Sequence, residues 1–170
     1  MCDLCRTTLL AYIVHESLNY FTAALNTYRI QLYLRGLMAF LEKQLVIKRS
    51  QLPGSGKGLF TRKAISKGTR IVEYKGRVRT WKEIKEEPGF NGYVFYITRN
   101  LVIDALPYKK AFGRFANDAR GLSKTKGITN NAEYTVESGK VYIDAIKDIP
   151  AGGEILVSYG KEYWDIVRSQ

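Results

Sequence analysis

Apolar and polar residues alternate in short runs along most of the chain from residue 44 onward. Alternation of this kind has the period of a half-buried strand. Turn signals such as Pro-Gly, Lys-Gly and Ser-Gly separate the runs at intervals of about ten residues. We therefore predict strands in QLVIKRS (44–50), LFTRKAI (59–65), TRIVEYKG (69–76), YVFYIT (93–98), LVIDA (101–105), AEYTVE (132–137), KVYIDAI (140–146) and ILVSYG (155–160).

Helical signals are few in this region. In TWKEIKEEPG (80–89), Thr80 and Glu83 have the spacing of a capping box, and Pro88-Gly89 ends the segment. KAFGRFAND (110–118) begins a helical turn, and Ser138-Gly139 joins two predicted strands as a hairpin. The pattern predicts a mostly β fold with short helices, built from several small packed sheets.

The first 37 residues have a different pattern, with apolar residues near helical spacing and almost no Lys or Gly. We predict one or two helices there. Met38 then opens MAFLEKQLVIKRS, which has the character of a domain start. We expect residues 1–37 to be a helical N-terminal extension that is dispensable for activity, and residues 38–170 to be the main domain.

Composition is that of a soluble globular protein: 170 residues, 45% hydrophobic and 25% charged. That length fits one domain with a sizeable core. No apolar run approaches the roughly 20 residues of a membrane span, and LLAYIV (9–14) is also too short for a signal peptide. We expect no membrane association.

The two cysteines, Cys2 and Cys5, and the single histidine, His15, are too few for a zinc site. We therefore expect no metal. The scarcity of cysteine favours a reducing compartment, so we expect a cytoplasmic protein, or a nuclear one if it acts on chromatin.

The net charge is +11, and ten of these charges belong to residues 38–170. A basic body of this kind speeds encounter with acidic surfaces, including nucleic acid and its associated proteins. A solvated basic surface without a partner explains the charge equally well. Charge alone therefore leaves the partner open.

Three segments carry recognisable motifs. The chain contains no phosphate-binding GxxxxGK[ST] loop, and its one histidine makes a nucleophile triad implausible. GSGKGLFTRKAISKGTRIVEYKG, VIDALPYKKAFGRFANDA and IPAGGEILVSYGKEYW instead follow one another over about 120 residues, joined by compatible strands. In this order they resemble the SET domain family of S-adenosylmethionine-dependent protein-lysine methyltransferases, above all its minimal bacterial and viral members.

The resemblance implies a fold and a reaction. The fold would be the SET-domain β-clip-like arrangement of small sheets, with a knot-like threading of the C-terminal segment beneath the Arg-Phe-x-Asn loop. The reaction would be methyl transfer from S-adenosylmethionine to a lysine of a protein substrate, with Tyr159 at the catalytic position. Without the motifs, a Tyr at the end of a strand is usually a packing residue.

The resemblance also implies the residues of two binding sites. Gly56 and Gly58 would let the backbone approach the cofactor closely. The cofactor-binding positions are Gly56, Lys57, Gly58, Arg114, Phe115, Asn117, Asp118, Tyr163 and Trp164. The candidates for the channel of the substrate lysine are Tyr93, Phe95, Tyr96 and Val157. Because strand residues alternate between faces, Tyr93 and Phe95 would face one side and Tyr96 the other. Core packing is the competing interpretation of these aromatic residues.

Asp118 and Arg120 depart from the family, which has His and Cys near these positions. The family's His contacts adenine largely through its backbone, so Asp118 need not abolish binding, and its carboxylate could accept from the cofactor. The missing Cys serves mostly in zinc-bearing relatives. These departures motivate the alternative of a catalytically inactive SET-fold module that binds a peptide or nucleoprotein.

The chemistry of lysine methylation requires a neutral amine. An ordinary lysine, with a pKa of about 10.4, is uncharged to only about one part in 10³ at pH 7. An apolar channel and a nearby sulfonium both disfavour the ammonium form, so no dedicated base is needed. A basic enzyme would repel basic tails unless its groove were acidic, and Glu83, Glu86, Glu87 and Asp104 could make it so. An acidic nucleoprotein substrate remains open, as does a monomeric or homodimeric state.

Overall fold

Small antiparallel sheets dominate the computed structural model, which describes residues 41–122 and 124–169. Within these residues there are eight strands in three sheets. The strands are β1 (Leu45–Arg49), β2 (Lys57–Thr61), β3 (Arg70–Glu73), β4 (Arg77–Arg79), β5 (Val94–Thr98), β6 (Leu101–Asp104), β7 (Ala132–Glu137) and β8 (Lys140–Ala145). The predicted N-terminal extension, with Cys2, Cys5 and His15, lies outside the described residues.

Short helices lie between and after the strands. They are the α-helices α1 (Trp81–Glu86) and α2 (Lys161–Ser169) and the 3-10 helices Glu42–Gln44 and Phe112–Phe115. The predicted capping box opens α1, where the Thr80 side chain accepts from the Glu83 backbone N–H and the Glu83 carboxylate accepts from the Thr80 N–H. No helix among the described residues is long and apolar enough to cross a bilayer.

The three sheets have the orders β1-β2, β3-β8-β7 and β4-β6-β5. The β7–β8 pair runs in register from Ala132 opposite Ala145 to Glu137 opposite Lys140. Ser138 and Gly139 have φ values of 50° and 74°, the positive values that a tight two-residue hairpin turn requires. The predicted hairpin is therefore confirmed.

A buried apolar cluster joins the β1–β2 and β3-β8-β7 sheets to the segment that follows residue 150. Its members are Leu45, Leu59, Ile65, Ile71, Val72, Ala116, Ala132, Ile143, Ala145, Ile149, Ile155 and Val157. Leucine and β-branched side chains supply most of this cluster, both from the strands and from the segments between and after them. A two- or three-stranded sheet is too small to hold a core alone, so the sheets depend on each other and on this segment.

The closing segment, residues 154–160, differs from its prediction as a regular strand. The structure shows only isolated bridges there, one of which pairs Asn117 with Leu156 in parallel. Ile155 N–H donates to the Leu59 carbonyl at 2.8 Å, and Val157 N–H donates to the Asn117 carbonyl at 2.9 Å. Because the segment shares its hydrogen bonds among several neighbours, it forms no long ladder. Bonding on both sides is what the predicted threading requires, and it brings Tyr159 beside the Asn117 loop.

One whole strand and the start of another also differ from the sequence pattern. The sequence pattern does not predict β4, because three residues are too short a run to indicate a strand and its only apolar side chain is exposed (Val78, 63% exposed). β2 begins at Lys57, so Lys57 and Gly58 are part of a strand and not of the preceding turn. Gly58 pairs with Lys48 of β1.

Candidate active site

A cavity of about 720 Å³ collects most of the predicted site residues. Its wall is formed by the turn into β2, the end of β3, the start of β5, the second 3-10 helix with the loop after it, β7, and the C-terminal segment with α2. The predicted residues on this wall are Gly56, Lys57, Tyr93, Phe95, Arg114, Phe115, Asn117, Asp118, Tyr159, Tyr163 and Trp164. These positions are far apart in sequence, and the packing of the small sheets brings them together.

Three predicted residues lie elsewhere. Val157 is fully buried (0% exposed) in the main apolar cluster, so its side chain packs in the core. Tyr96 is half exposed, contacts Trp81 with ring centroids 5.4 Å apart, and lines a second cavity described below. Gly58 is buried just behind the cavity wall, beside Glu154 and Asn117.

The turn that leads into β2 is shaped by glycine. Gly54 and Gly56 have φ values of 75° and 64°, a region that side chains disfavour. A Cβ on Gly58 would lie 2.1 Å from Glu154 Oε1, so no side chain fits there without displacement. Glu154 also accepts hydrogen bonds from Ser50 Oγ at 2.7 Å and Gln51 N–H at 2.8 Å. Glu154 therefore has a structural role, which is to hold this turn.

Asn117 connects the turn to the loop after the 3-10 helix. Its side-chain amide Nδ2 donates to the Lys57 carbonyl at 3.1 Å and to Glu154 Oε1 at 3.3 Å. Its side-chain oxygen accepts no hydrogen bond from the described residues. The amide is thus held in place by its nitrogen, and its oxygen is left for a donor in the cavity.

Tyr159 lies at the inner end of the cavity. Its hydroxyl donates to the Ala116 carbonyl at 2.9 Å, and its ring contacts Tyr163 at 4.8 Å and stacks on Trp164 at 5.7 Å with an interplanar angle of 17°. Burial, reinforced by the neighbouring Tyr163 and other phenols, raises the pKa of the Tyr159 hydroxyl well above its usual range. The phenol is therefore neutral at any physiological pH and acts as a hydrogen-bonding group.

Tyr74 and Tyr134 also line this cavity, and the sequence does not indicate them as site residues. Their rings meet edge to face at 5.5 Å, and Phe95 lies 5.0 Å from Tyr134. The Tyr74 hydroxyl donates to the Tyr93 carbonyl at 2.9 Å. Tyr74 directly follows β3 and Tyr134 lies in β7, where aromatic side chains usually pack in a core, so their sequence positions carry no signal of a site.

Asp118 is buried (5% exposed), and both of its carboxylate oxygens are engaged. Oδ1 accepts from the Arg120 N–H at 2.8 Å and from Asn130 Nδ2 at 2.9 Å. Oδ2 accepts from the Tyr159 N–H at 2.8 Å and from Trp164 Nε1 at 2.9 Å. Four acceptor positions are all that a carboxylate offers. The suggestion that Asp118 accepts from a cofactor is therefore disfavoured, because protein donors occupy those positions.

Arg114 lies with its guanidinium 4.0 Å from the centre of the Tyr93 ring, and its Nη1 donates to the Leu106 carbonyl at 3.1 Å. Its Nε is buried and has no hydrogen-bond partner among the described residues. A buried donor without a partner is costly, and an acceptor supplied by a ligand would relieve that cost.

A second cavity, of about 1370 Å³, lies between α1, β5 and α2. It shares four wall residues with the first cavity: Val94, Phe95, Tyr159 and Tyr163. An aromatic partition thus separates two spaces and carries Tyr159 at the junction. Among residues 41–122 and 124–169, no three His, Cys, Asp or Glu side chains converge as metal ligands.

The chain is similar to known proteins in sequence and in structure. The SET domain family model matches residues 56–160. Histone-lysine N-methyltransferase EZH2 of Chaetomium thermophilum is 27% identical over 139 residues, which cover 74% of this chain and 9% of that much longer protein. The methyltransferase domain of human PR domain-containing protein 2 has a TM-score of 0.50 and 23% identity, over 69% of this chain and 77% of that one. The structural likeness supports the fold.

Proposed function

Since the chain belongs to the SET domain family, we propose that it transfers a methyl group from S-adenosylmethionine to the side-chain amine of a protein lysine. The observation that carries the proposal is the position of Tyr159 in the partition between two cavities. A cofactor in the first cavity and a lysine from the second could meet only at this partition. An in-line methyl transfer needs two reactants that arrive from opposite sides.

The residues of the first cavity fit S-adenosylmethionine. The glycine turn allows close backbone approach, and the free Asn117 side-chain oxygen would accept from the cofactor's ammonium group. The orphaned Nε of Arg114 would donate to its carboxylate. Trp164 and the exposed Leu122 offer apolar surface for the adenine. When bound, the cofactor supplies the electrophilic methyl group of its sulfonium.

Tyr159 would orient the amine. Because its hydroxyl proton is committed to the Ala116 carbonyl, the phenol oxygen presents its lone pairs to an N–H of the substrate. With its pKa raised by burial, Tyr159 does not act as a base. The aromatic partition of Phe95, Tyr163 and Tyr159 would instead favour the neutral amine by excluding water, since desolvation disfavours an ammonium.

Tyr159→Phe tests the proposal directly. We expect methyl transfer to lysine-containing proteins and peptides to fall by at least about 10²-fold, the effect of removing one aligned hydrogen-bonding group from a reacting centre. Binding of S-adenosylmethionine, measured by calorimetry, should be retained. Tyr108→Phe is the matched control, because Tyr108 is 45% exposed and lines neither cavity.

Two outcomes would contradict the proposal. Transfer at the wild-type rate in Tyr159→Phe would remove Tyr159 from the reaction. Cofactor binding without transfer to any lysine substrate by the wild type would favour the inactive binding module instead.

A further inference from the structure

We propose that the second cavity selects a lysine flanked by acidic and large apolar residues, and disfavours a basic tail. The inference rests on the proposed function, since it assigns the substrate class of that site. It depends on which charges around the cavity are already neutralised by the protein's own side chains and which are left for a partner.

The carboxylates that could have made this cavity acidic are engaged within the protein. Glu83 Oε2 accepts from the Thr80 N–H at 2.6 Å and from Thr80 Oγ1 at 2.7 Å. Glu86 lies 3.8 Å from Lys82 Nζ. These two side chains therefore have partners in α1 and its cap, and neither lines the second cavity.

The other two carboxylates are bound by arginine or buried. Glu87 Oε1 lies 2.5 Å from Arg79 Nη1. Asp104 is 4% exposed and accepts from Asn91 Nδ2 and from the Leu106 N–H, each at 3.0 Å. Each of the four carboxylates proposed for an acidic groove thus has a partner within the protein.

Two cations of the second cavity have no such partner. The side chains of Lys85 and Arg99 line it and form no hydrogen bond or ion pair with any residue in the described part of the chain. They lie at the same end. The Arg99 carbonyl accepts from the Trp81 N–H at 2.9 Å, and Lys85 is one helical turn after Trp81 on the same face of α1. This end of the cavity is cationic and available to a carboxylate.

One carboxylate on the α2 side of the cavity, Glu162, forms no hydrogen bond or ion pair in the described part of the chain, although Lys161 is its electrostatic neighbour. Glu162 is exposed in the first turn of α2, beside Tyr163 of the partition. There it would attract the ammonium of an incoming lysine toward Tyr159. The charges of the cavity that form no hydrogen bond or ion pair are therefore negative on α2, beside the partition, and positive on α1 and the turn after β5.

Exposed aromatic and aliphatic side chains lie along the same cavity. Tyr96 is 50% exposed beside Trp81, and Phe90, 40% exposed, contacts Tyr163 with ring centroids 5.5 Å apart. Ile166 on α2 is 46% exposed. Rings that are held in place and left open to solvent suit a large apolar side chain of a partner.

The charge of the whole chain acts in the same direction. With a net charge of +11, the protein repels a basic tail and attracts an acidic segment at long range. Short-range and long-range electrostatics therefore favour the same class of substrate.

The first test uses three synthetic peptides that share one lysine and one phenylalanine and differ only in their flanking residues, which are Glu, Ser or Arg. We expect kcat/KM for methyl transfer to fall in the order Glu, Ser, Arg. A preference for the Arg-flanked peptide would overturn the inference and leave the proposed function intact. Absence of transfer to all three peptides would overturn the proposed function and the inference with it.

The second test locates the preference. In Lys85→Glu/Arg99→Glu we expect kcat/KM for the Glu-flanked peptide to fall about three- to tenfold, and that for the Arg-flanked peptide to rise, as for two rim charges. Lys109→Glu/Lys110→Glu is the control, because it changes the net charge equally at exposed residues that line neither cavity. Should the first variant fold poorly, Lys85→Gln/Arg99→Gln tests the same loss of charge. Equal effects of the groove and control variants would overturn the inference.

Discussion

At the residue scale, Asp118 is the departure from the family's motif that makes the most structural contacts. One buried carboxylate accepts from the backbone of Tyr159, from the indole of Trp164, from Asn130 and from its own loop. It thus connects the loop, the closing segment and α2, and the stacking of Trp164 on Tyr159 depends on the same connection. Asp118 is accordingly a positioning residue for Tyr159.

Asp118→Asn should destabilise the protein although it changes few atoms. An amide nitrogen would face two N–H donors and leave them without an acceptor, at about 1–3 kcal/mol for each buried donor. We expect a loss of about 2 kcal/mol or more in the free energy of unfolding, measured by urea denaturation. Transfer should weaken too, because Tyr159 loses a backbone anchor.

Trp164→Phe provides the comparison, since it removes one of the same donors and retains an aromatic ring. The effects of the two substitutions should be less than additive in the double variant. Asp118→His, which restores the family's residue, should also lose the four contacts. Full stability of Asp118→Asn would refute this account of the carboxylate.

At the element scale, the two α-helices flank the second cavity and are held in different ways. α1 has no buried residue and depends on its cap, whereas α2 is anchored through Tyr163 and Trp164. Gly121 makes room for that anchor, because a Cβ there would lie 2.7 Å from the Trp164 ring. A helix of six residues is too short to persist without such help.

Thr80→Ala should therefore unfold α1 locally at a cost of about 1 kcal/mol, the usual value of an N-cap. Hydrogen exchange of residues 81–86 should accelerate, and transfer should fall because Trp81 and Lys85 lose their support. Glu83→Gln is the control, because Gln can complete the capping box. Unchanged exchange in Thr80→Ala would contradict this role of the cap.

The capping box should also depend on pH. Hydrogen bonds from the Thr80 hydroxyl and N–H hold the pKa of Glu83 below its usual range. A lowered folded-state pKa means that this stabilisation is present above the pKa of the unfolded chain and is lost as the pH falls through the folded value.

At the scale of the whole molecule, the small sheets meet around three tyrosine side chains, of which Tyr74 is buried and Tyr134 and Tyr159 are partly buried. Burial raises the pKa of Tyr74, Tyr134 and Tyr159 above the usual range. In each case the neutral form is the one that the folded protein accommodates. Two of the three also donate to a backbone carbonyl, so their protons are part of the structure.

Alkaline conditions should consequently destabilise the fold. A raised folded-state pKa gives stability that is complete below the unfolded tyrosine pKa of about 10 and is lost as the pH rises above it. We expect the free energy of unfolding to decrease between about pH 9 and pH 11, by about 1.4 kcal/mol in total for each phenol over those two pH units.

Tyr74→Phe tests the cause, because it removes one titrating group. Its free energy of unfolding should fall less steeply with pH than that of the wild type. An equal slope in both proteins would assign the alkaline loss to other groups.

The proposed extension at residues 1–37 belongs to this scale as well. It lies outside the described residues, so its helical character and its dispensability stay predictions. Every contact described for the candidate site joins residues within 41–122 and 124–169.

The sequence by itself determined the features that depend on neighbours along the chain. Alternation predicted seven of the eight strands, Ser138-Gly139 predicted the hairpin, and Thr80 with Glu83 predicted the cap. These signals are local, so they can be read without the fold. The family's motifs, also contiguous, identified the SET domain and most of the residues that line the first cavity.

Only the tertiary structure decided what those residues do for one another. Asp118 meets Tyr159 and Trp164 across 41 and 46 residues, and Tyr74 and Tyr134 become site residues only where two strands pack. The charge of the second cavity likewise depends on which carboxylates already have partners. Contacts between distant residues follow from packing, which composition and periodicity do not encode. Residues 113–121 (GRFANDARG) therefore show a departure from a motif in the sequence. Only the fold shows that Asp118 holds elements of the candidate site together through its hydrogen bonds.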